Sequence, residues 1–465
     1  MTERRTMLPD GDSSHVALNA TVNVAPRERR LRRAGSLRGA WPVMRGIGGY
    51  GALVALVVAG TAIAVGAAGH SSFLVPSGRR HYPAWMAGPF GGLAHGKMTG
   101  ALFVLLLLGM CAAYGVAVAC SRGLDRRGAI AAIVLLHVVF LLAPPLLSTD
   151  IFSYVDYGRL GAVHGLNPYA HGASSALADP AFPFTGHLWR HTRSVYGPPF
   201  TLMTYPLAAL GVPAAMWGLK VIMALSSLGI CALVWRCARD RGLDPVRAAM
   251  LFGLNPVVLV YAVGGGHNDL LMLALAMLGV ACVINGRERG GGGALVASAA
   301  VKASAIALLP FMVLGAVRPR RVLVGAAAGI AVVAVIAVAG FGSHAFTFVS
   351  DIGKQQTLVS GNSVPSEVAQ LFGADRVTTV VRLGGQILLV TAIVYLLWRT
   401  KRGDDWVAAS GWAMLAVSVT TTWLLAWYTL WALPFAAISR QWRLLAATLL
   451  LEALFLAHGI TPLIA

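Results

Sequence analysis

The feature that most constrains this chain is a series of long apolar runs, most of which end in a short cluster of arginine or lysine. A transmembrane helix needs about 20 predominantly apolar residues, and runs of this kind recur along the chain from Ile47 to His458. Only 12% of the residues are charged, whereas a soluble domain carries about 25%. The sequence therefore predicts an all-α polytopic membrane protein.

The basic clusters indicate how the spans are oriented. The net charge of +19 would also suit a nucleic-acid-binding protein, but the cations form separate clusters between apolar runs, as the positive-inside rule describes for cytoplasmic loops. We therefore exclude nucleic acid as a partner and expect a multi-pass protein of the plasma membrane. Residues 1–46 are polar and lack the apolar core of a signal peptide. We expect them to form a disordered, basic cytoplasmic tail ahead of a transmembrane domain at 47–465.

Alternation of the spans between basic clusters predicts about 13 transmembrane helices with large extracytoplasmic loops. Two stretches need special treatment to keep this alternation. We expect residues 200–212 to form an interfacial or re-entrant helix before a single span over 213–235. We expect residues 294–317, which lie between two basic clusters, to form a hairpin of two short helices that turns near Ser304. The other predicted spans cover residues 47–69, 98–120, 129–147, 247–263, 270–284, 322–341, 377–398, 406–425, 430–438 and 444–458.

Neither the cysteines nor the histidines indicate a metal or redox centre. The five cysteines lie in apolar runs or at their basic ends, which suits small buried side chains better than a disulfide framework. His187 and His191 could share one face of a helix, but no carboxylate adjoins them. We predict no cofactor and no metal site.

The polar residues gather at the predicted outer ends of the spans, and the first group opens the loop over 148–199. Its run Ser-Thr-Asp-Ile-Phe-Ser-Tyr-Val-Asp-Tyr-Gly-Arg contains Asp150 and Asp156. A carboxylate at the membrane surface can act as general base on a sugar hydroxyl, and the aromatic rings offer faces for sugar stacking. An interfacial aromatic belt with solvated acids explains these residues equally well.

A second group forms a predicted outer turn, with glycines at 264–266 followed by His267, Asn268 and Asp269. Three glycines would let a ligand approach the backbone closely. The alternative, a tight helical hairpin with a capping side chain, explains one of the three polar residues and leaves two without a role. The pattern favours a ligand site.

A third feature is Lys302, which lies in the predicted hairpin. A lysine at membrane depth is costly and functional by default, and it could bind a lipid-linked phosphate as a point charge. The alternative is a structural ion pair, with Glu452 as a candidate partner. The late run Trp427-Tyr428-Thr429-Leu430-Trp431 suits an interfacial belt at least as well as a substrate site.

In this order, the motifs resemble the actinobacterial polyprenol-phosphate-mannose-dependent α-1,6-mannosyltransferases, which are integral-membrane glycosyltransferases of the GT-C class. The shared elements lie between about residues 129 and 434: Ser-Thr-Asp-Ile-Phe-Ser-Tyr, Asn-Pro-Tyr, Tyr-Gly-Pro-Pro, Gly-Gly-His-Asn-Asp and Trp-Tyr-Thr-Leu-Trp. The resemblance implies a GT-C-like fold, a polyprenyl-phosphate-mannose donor and a glycolipid or oligomannan acceptor. It also implies inverting transfer of mannose to an α-1,6-mannan of the lipomannan type on the outer face of the membrane.

The resemblance also implies roles for particular residues. The acid of the first large outer loop serves as catalytic base in this family, and that position matches Asp150. The class often has a pair of adjacent acids here, which this chain lacks, so Asp156 stays open as the base. We expect the following residues to bind substrate: Tyr154, Asp156, Arg159, Tyr196, His267, Asn268, Asp269, Lys302, Trp427 and Tyr428.

Two other functions fit the same pattern. A transporter or flippase for a lipid-linked sugar would also need a polar cavity among spans, but it would place polar residues at mid-span, where this chain has few. A transferase of the same class with another lipid-linked donor, such as arabinose or glucose, would differ only in the shape of its pocket.

Overall fold

The computed structural model describes residues 27–69, 72–76, 83–94, 96–355 and 357–464, with residues 27–45 described by their backbone alone. Residues Arg45–Ala465 form one compact unit. Most of the predicted cytoplasmic tail, residues 1–26, lies outside the described residues. The first helix begins at Arg27, and the predicted boundary between tail and membrane domain stays a prediction.

The described residues contain helices and no strands, which confirms the all-α class. The α-helices are α1 (Arg27–Ala67), α2 (Ala84–Ala87), α3 (Gly100–Ala119), α4 (Arg126–Leu142), α5 (Asp150–Ala162), α6 (Pro198–Ala209), α7 (Val212–Asp240), α8 (Pro245–Gly253), α9 (Asp269–Ile284), α10 (Glu288–Ala299), α11 (Leu309–Gly315), α12 (Pro319–Phe341), α13 (Thr347–Gln355), α14 (Val364–Leu371), α15 (Thr379–Lys401), α16 (Trp406–Thr420), α17 (Leu433–Ala437) and α18 (Trp442–Ile464). Short 3-10 segments join several of them: Gly88–Leu93, Ser121–Gly123, Ala173–Ala176, Phe182–Phe184, His187–Trp189, Ala303–Leu308, Gly342–Phe346 and Ala426–Tyr428.

Six helices of the described ranges are long and apolar enough to cross a membrane, and a bent pair makes a seventh. The chain is therefore a multi-pass membrane protein, although the predicted count of about thirteen spans is not confirmed. The six are Gly46–Ala67, Gly100–Ala119, Val212–Asp240, Pro319–Phe346, Thr379–Lys401 and Trp442–Gly459. Shorter apolar helices cover Asp269–Ile284, Ala303–Gly315 and Trp406–Thr420.

The two stretches that needed special treatment agree with the structure in part: both contain the predicted interruptions, whereas the interfacial or re-entrant placement of the first and the hairpin of the second stay predictions. The short helix α6 precedes the long span α7, and the chain over 288–315 is broken at Lys302 between α10 and a 3-10 segment that leads into α11. The span predicted over 430–438 is wrong. It contains only α17, a helix of five residues, which at about 1.5 Å per residue cannot cross a hydrocarbon core of about 30 Å.

The bent pair breaks at Asn255 and Pro256, between α8 and a π-helical segment over Val257–Val263 that leaves at an angle of 48°. Asn255 Oδ1 accepts hydrogen bonds from the N–H groups of Val257 and Val258, at 2.8 and 3.2 Å, and so caps the new segment. Asn255 Nδ2 donates to Glu452 Oε2 on α18 at 2.7 Å. This contact corrects the candidate pairing of Lys302 with Glu452, and it fixes the start of the segment that leads to residues 264–269.

Helices α10 and α12 pack backbone to backbone through glycines. A Cβ atom placed on Gly325 would overlap the carbonyl group of Arg289, and one placed on Gly292 would overlap the carbonyl group of Val322. Small residues let helices approach closely in a membrane, where packing and not the exclusion of water drives association. These glycines hold α10, and with it the break at Lys302, against the long span α12.

We expect Gly325→Ala to lower the free energy of unfolding and the melting temperature of the purified protein, because the added methyl group forces α10 and α12 apart. Gly384→Ala on α15 is the matched control, since a Cβ at Gly384 meets nothing within 4 Å. In a helix interior that control change favours the folded state by up to about 1 kcal/mol. Equal melting temperatures for the two variants would contradict the close packing.

Candidate active site

A cavity of about 190 Å³ lies where the start of α5, the break after α10 and the segment before α17 meet. It combines one acid and one lysine with five residues of the late aromatic segment, here the residues over 421–431. Its lining consists of Asp150, Trp189, Val195, Tyr196, Lys302, Ala303, Ser304, Val417, Thr421, Trp423, Leu425, Tyr428 and Trp431. A small concave site with a few convergent polar groups is the usual form of a binding site for a small substrate.

Asp150 is the first residue of α5 and is partly exposed to the cavity. Its backbone N–H donates to Ser148 Oγ at 3.1 Å, and its carboxylate lies in the first turn, where the helix dipole favours negative charge. The chain enters this turn through Leu147, which has a φ of 59°, a left-handed conformation that non-glycine residues adopt only under constraint. The conformation of Leu147 thus turns the chain just before α5, which begins at Asp150.

Lys302 forms the opposite side of the cavity and is held by an ion pair. Its Nζ lies 2.9 Å from both carboxylate oxygens of Asp269, and Trp431 Nε1 donates to Asp269 Oδ1 at 2.7 Å. The ammonium group also lies over the rings of Tyr428 and Trp431, 4.2 and 5.3 Å from their centroids, in the geometry of a cation–π contact. The lysine therefore keeps its charge while one side of it faces the cavity.

His267 lies fully buried directly behind Asp150. Its Nδ1 is 3.5 Å from Asp150 Oδ2, and its ring stacks on Trp427 with centroids 3.3 Å apart. Neither ring nitrogen has a hydrogen-bond partner among the described residues. A buried histidine of this kind can donate to the carboxylate after a small shift and so orient it.

Lys220 links the two turns that carry these residues. It lies in the first half of α7, is fully buried, and donates from Nζ to the carbonyl oxygens of Ala143, Pro144 and Gly264. Leu146 N–H adds a further hydrogen bond to the Gly264 carbonyl at 3.1 Å. The end of α4, which leads to Asp150, is thus fastened to the turn that leads to His267.

Other segments of the protein pack closely against the glycines of this turn. A Cβ at Gly264 would lie 2.8 Å from the side chain of Leu146, and one at Gly266, which has a φ of 71°, would lie 2.7 Å from Ile151. The turn is buried throughout. The expectation that these glycines expose the backbone to a ligand is therefore wrong, because the space beside them is filled by the segment that carries Asp150.

Tyr154 and Tyr196 connect the first loop to the same turn. The Tyr154 ring meets the Tyr196 ring edge-on at 5.0 Å, and its hydroxyl donates to Asn268 Oδ1 at 3.3 Å. Tyr196 reaches the cavity, whereas Tyr154 and Asn268 are buried behind it. Their packing fixes α5 against the turn before α9.

Asp156 and Arg159 lie elsewhere on α5, beneath the loop that follows it. Asp156 accepts a hydrogen bond from Thr185 Oγ1, and burial raises the pKa of its carboxyl group to about 7, although that hydrogen bond acts in the opposite direction. Arg159 forms a buried salt bridge with Asp179 at 2.8 Å, which also accepts from His164. Neither residue lines the cavity.

The predicted site residues thus fall into three sets. Asp150, Tyr196, Lys302 and Tyr428 line the cavity; Tyr154, His267, Asn268, Asp269 and Trp427 lie behind it; Asp156 and Arg159 are separate. Sequence reasoning missed Trp189 and Thr421 in the lining and Lys220 behind it. Lys220 has the same sequence signal as Lys302, since each is a lysine within an apolar run.

Within the described ranges, no three His, Cys, Asp or Glu side chains lie close enough together to hold a metal ion. The five cysteines are unpaired thiols.

Comparison with known proteins gives the family. A family model described as "Alpha-(1->6)-mannopyranosyltransferase, N-terminal domain" matches residues 49–318, more than half of the chain. The chain belongs to this α-(1→6)-mannopyranosyltransferase family. The resemblance indicated by the motifs is thereby confirmed, and a second model, "Glycosyltransferase family 87", matches residues 195–456. The predicted class of enzyme, a hexosyltransferase, agrees with both descriptions.

Relatives in the α-(1→6)-mannopyranosyltransferase family come from mycobacteria and corynebacteria. The chain is 32% identical over 336 residues to α-(1→6)-mannopyranosyltransferase A of Mycobacterium tuberculosis. The matched region covers 65% of this chain and 63% of the relative. It is 25% identical to α-(1→6)-mannopyranosyltransferase A of Corynebacterium glutamicum, over 66% of this chain and 69% of the relative. The chain thus spans less than two thirds of the length of the M. tuberculosis protein. No solved structure matches it.

We expect the stability of the native protein to fall as the pH rises, because burial raises the pKa of Asp156 in the folded protein. Its pKa is 3.8 in the reference state and about 7 in the fold, so the folded state binds more protons between these values. The stabilisation is complete below about pH 4 and is lost as the pH rises to about 7, by at most about 1.4 kcal/mol per pH unit. Melting temperatures of purified protein between pH 5 and 8 measure this slope.

Asp156→Asn should flatten that slope, since the amide imitates the neutral acid. Asp375→Asn, which removes an exposed acid, should leave the slope as it is in the native protein. A native slope that persists in Asp156→Asn would show that another group carries the pH dependence.

We expect Lys220→Met to lower the free energy of unfolding by at least about 2 kcal/mol, because three buried carbonyl oxygens lose their common donor. Lys401→Met, at the exposed end of α15, is the matched control and should change stability little. If both variants melt at the native temperature, Lys220 does not fasten the two turns.

Proposed function

We propose that this chain transfers mannose from a polyprenyl-phosphate-mannose donor to a growing α-1,6-linked mannan of a lipoglycan, at the outer face of the membrane. The observation that carries the proposal is that the Asp150 carboxylate and the Lys302 ammonium group line one small cavity at the end of the spans. One group can accept a proton and the other can stabilise a phosphate. Inverting glycosyl transfer needs these two functions within reach of one sugar.

The reaction is a single displacement at the anomeric carbon. The acceptor hydroxyl oxygen forms a bond to C1 of mannose while the bond from C1 to the phosphate oxygen breaks. Asp150 accepts the proton of the hydroxyl, and polyprenyl phosphate leaves with its charge stabilised by Lys302. A β-linked donor gives an α-linked product by this route.

The residues behind the cavity position these two groups. His267, 3.5 Å from Asp150, orients the carboxylate, and the stacked ring of Trp427 keeps the histidine in place. Asp269 holds Lys302 as an ammonium ion and fixes its direction. Asp156 lies beneath the loop and takes no part in the chemistry, which favours Asp150 over Asp156 as the base.

An apolar groove beside the cavity supports a lipid-linked donor. The groove has a volume of about 630 Å³, and helices α6, α9, α10 and α12 contribute mainly aliphatic side chains and glycines to its walls. It reaches Pro199, Phe200 and Val301, and Val301 directly precedes Lys302. A polyprenyl chain in this groove would bring its phosphate next to the lysine.

Aromatic rings around the cavity support a sugar acceptor. Trp189, Trp423 and Tyr428 contribute to the walls, and Tyr428 stacks on Trp431 with centroids 4.5 Å apart. Rings of this kind bind the apolar faces of pyranose sugars, while their N–H and O–H groups meet the hydroxyls.

The test is transfer of labelled mannose from polyprenyl phosphomannose to an oligomannoside, in membranes that contain the native chain, Asp150→Asn or Asp156→Asn at equal protein levels. We expect Asp150→Asn to lower the rate by about 10² to 10⁴, the usual contribution of a general base. We expect Asp156→Asn to stay within a few-fold of the native chain at pH 7.

Each other outcome has a distinct meaning. Loss of transfer in Asp156→Asn with activity retained in Asp150→Asn would move the base to Asp156. If native membranes transfer no sugar from this donor but do transfer arabinose from a polyprenyl-phosphate-linked donor, the donor of this chain is lipid-linked arabinose and not lipid-linked mannose.

A further inference from the structure

A second cavity of about 760 Å³ opens between α15, α16 and α18, and its apolar end reaches Val419 and Thr420 at the end of α16 nearest the sugar cavity. Its polar end contains Asp404 and Asp405, just before α16, and Arg440 and Arg443, at the start of α18. The sugar cavity takes Val417 from the opposite end of α16. Helix α16 has 15 residues. At about 1.5 Å per residue, the polar end of the second cavity therefore lies roughly 20 Å from the sugar cavity.

The upper part of this second cavity is apolar and faces the hydrocarbon region. Leu388, Leu415 and Val419 line it, and the apolar stretch of α15 contains no residue buried by the rest of the protein. If the gap were empty, the side chains on both walls would lose dispersion contacts. Water in the gap would lack hydrogen-bond partners in the hydrocarbon core. Hydrocarbon chains from the membrane are therefore the natural filling.

The charges at the polar end do not balance. Arg399 pairs with Asp404 at 2.8 Å, and Asp405 pairs with Arg241 at 2.6 Å, so both acids are neutralised. Among the described residues, Arg440 and Arg443 have no acidic partner: Arg440 makes one 3.4 Å hydrogen bond to a backbone carbonyl, and Arg443 lies over the Trp442 ring. Two guanidinium groups at the mouth of an apolar gap remain available for an anion.

Aromatic side chains mark this end as the membrane interface. Tyr395, Trp412 and Trp442 all line the cavity beside the arginines, and Trp412 Nε1 donates to Gln441 Oε1 at 2.9 Å. Amphipathic rings concentrate at the level of lipid headgroups. The guanidinium groups therefore lie at the depth of a phosphate of the bilayer leaflet.

We propose that this cavity binds one anionic glycerophospholipid, with its phosphate at Arg440 and Arg443 and an acyl chain along the apolar walls of α15 and α16. A guanidinium group binds phosphate oxygens with two N–H donors, and basic pockets between spans favour anionic headgroups. A zwitterionic lipid would bring its own ammonium group to the two uncompensated arginines, so the site selects for net negative charge.

The test uses the purified full chain in a non-ionic detergent and counts bound lipid by native mass spectrometry, with phosphatidylglycerol or phosphatidylcholine added. We expect one phosphatidylglycerol to bind at least tenfold more tightly than phosphatidylcholine. The double variant Arg440→Gln and Arg443→Gln should lose about thirtyfold in affinity, because each basic residue near an anionic headgroup contributes roughly fivefold.

Two further variants separate charge from fold. Arg318→Gln with Arg320→Gln removes the same charge from exposed residues at the start of α12 and should keep native binding. Ala392→Trp places a large side chain in the apolar part of the cavity. It should weaken binding although Arg440 and Arg443 are unchanged. Equal affinity for the two lipids, or a native affinity in both the Arg440/Arg443 variant and Ala392→Trp at a native melting temperature, would overturn the proposal.

Discussion

The ion pair between Asp269 and Lys302 joins three segments that are far apart in sequence. Asp269 starts α9, Lys302 lies at the break after α10, and Trp431, which donates to the same carboxylate, belongs to the late aromatic segment. A buried ion pair stabilises a fold only when its geometry is good and its remaining valences are filled. Here both carboxylate oxygens contact Nζ, and two rings cover the ammonium group. The cavity is the small space left where these segments meet Asp150.

Buried polar groups also join separate segments at other helix ends. Lys220 binds the carbonyl oxygens at the end of α4 and in the turn before His267, and Asn255 caps the segment after the bend while it binds Glu452. Each interrupted helix in a membrane exposes backbone groups that water cannot reach. These side chains supply the missing partners, so the interruptions that build the site are stable.

The sequence allowed the architecture and the family to be predicted, but the partners of the buried charges could not be derived. Apolar runs and basic clusters located the six long apolar helices, and the parity of the clusters predicted the short helix α6 and an interruption near Ser304, which the structure has at Lys302. The same windows treated residues 430–438 as a span because hydropathy counts apolar residues and takes no account of Pro434 or of the length of the helix. The motif of the first large loop identified Asp150, and its position within an apolar run identified Lys302. Both residues line the same cavity. Sequence could not distinguish Asp269 from Glu452 as partner of Lys302, since that choice depends on how α9, α10 and α18 pack.

We propose that Asp269 acts through Lys302 to build the site in which the sugar is transferred. A double-mutant cycle tests it most directly, with Asp269→Asn, Lys302→Gln and the double variant assayed for mannose transfer at equal protein levels. We expect each single change to lower the rate, and Asp269→Asn to lower it little further once Lys302 is already changed. Rate losses that multiply in the double variant would contradict it, because they would show two residues acting independently.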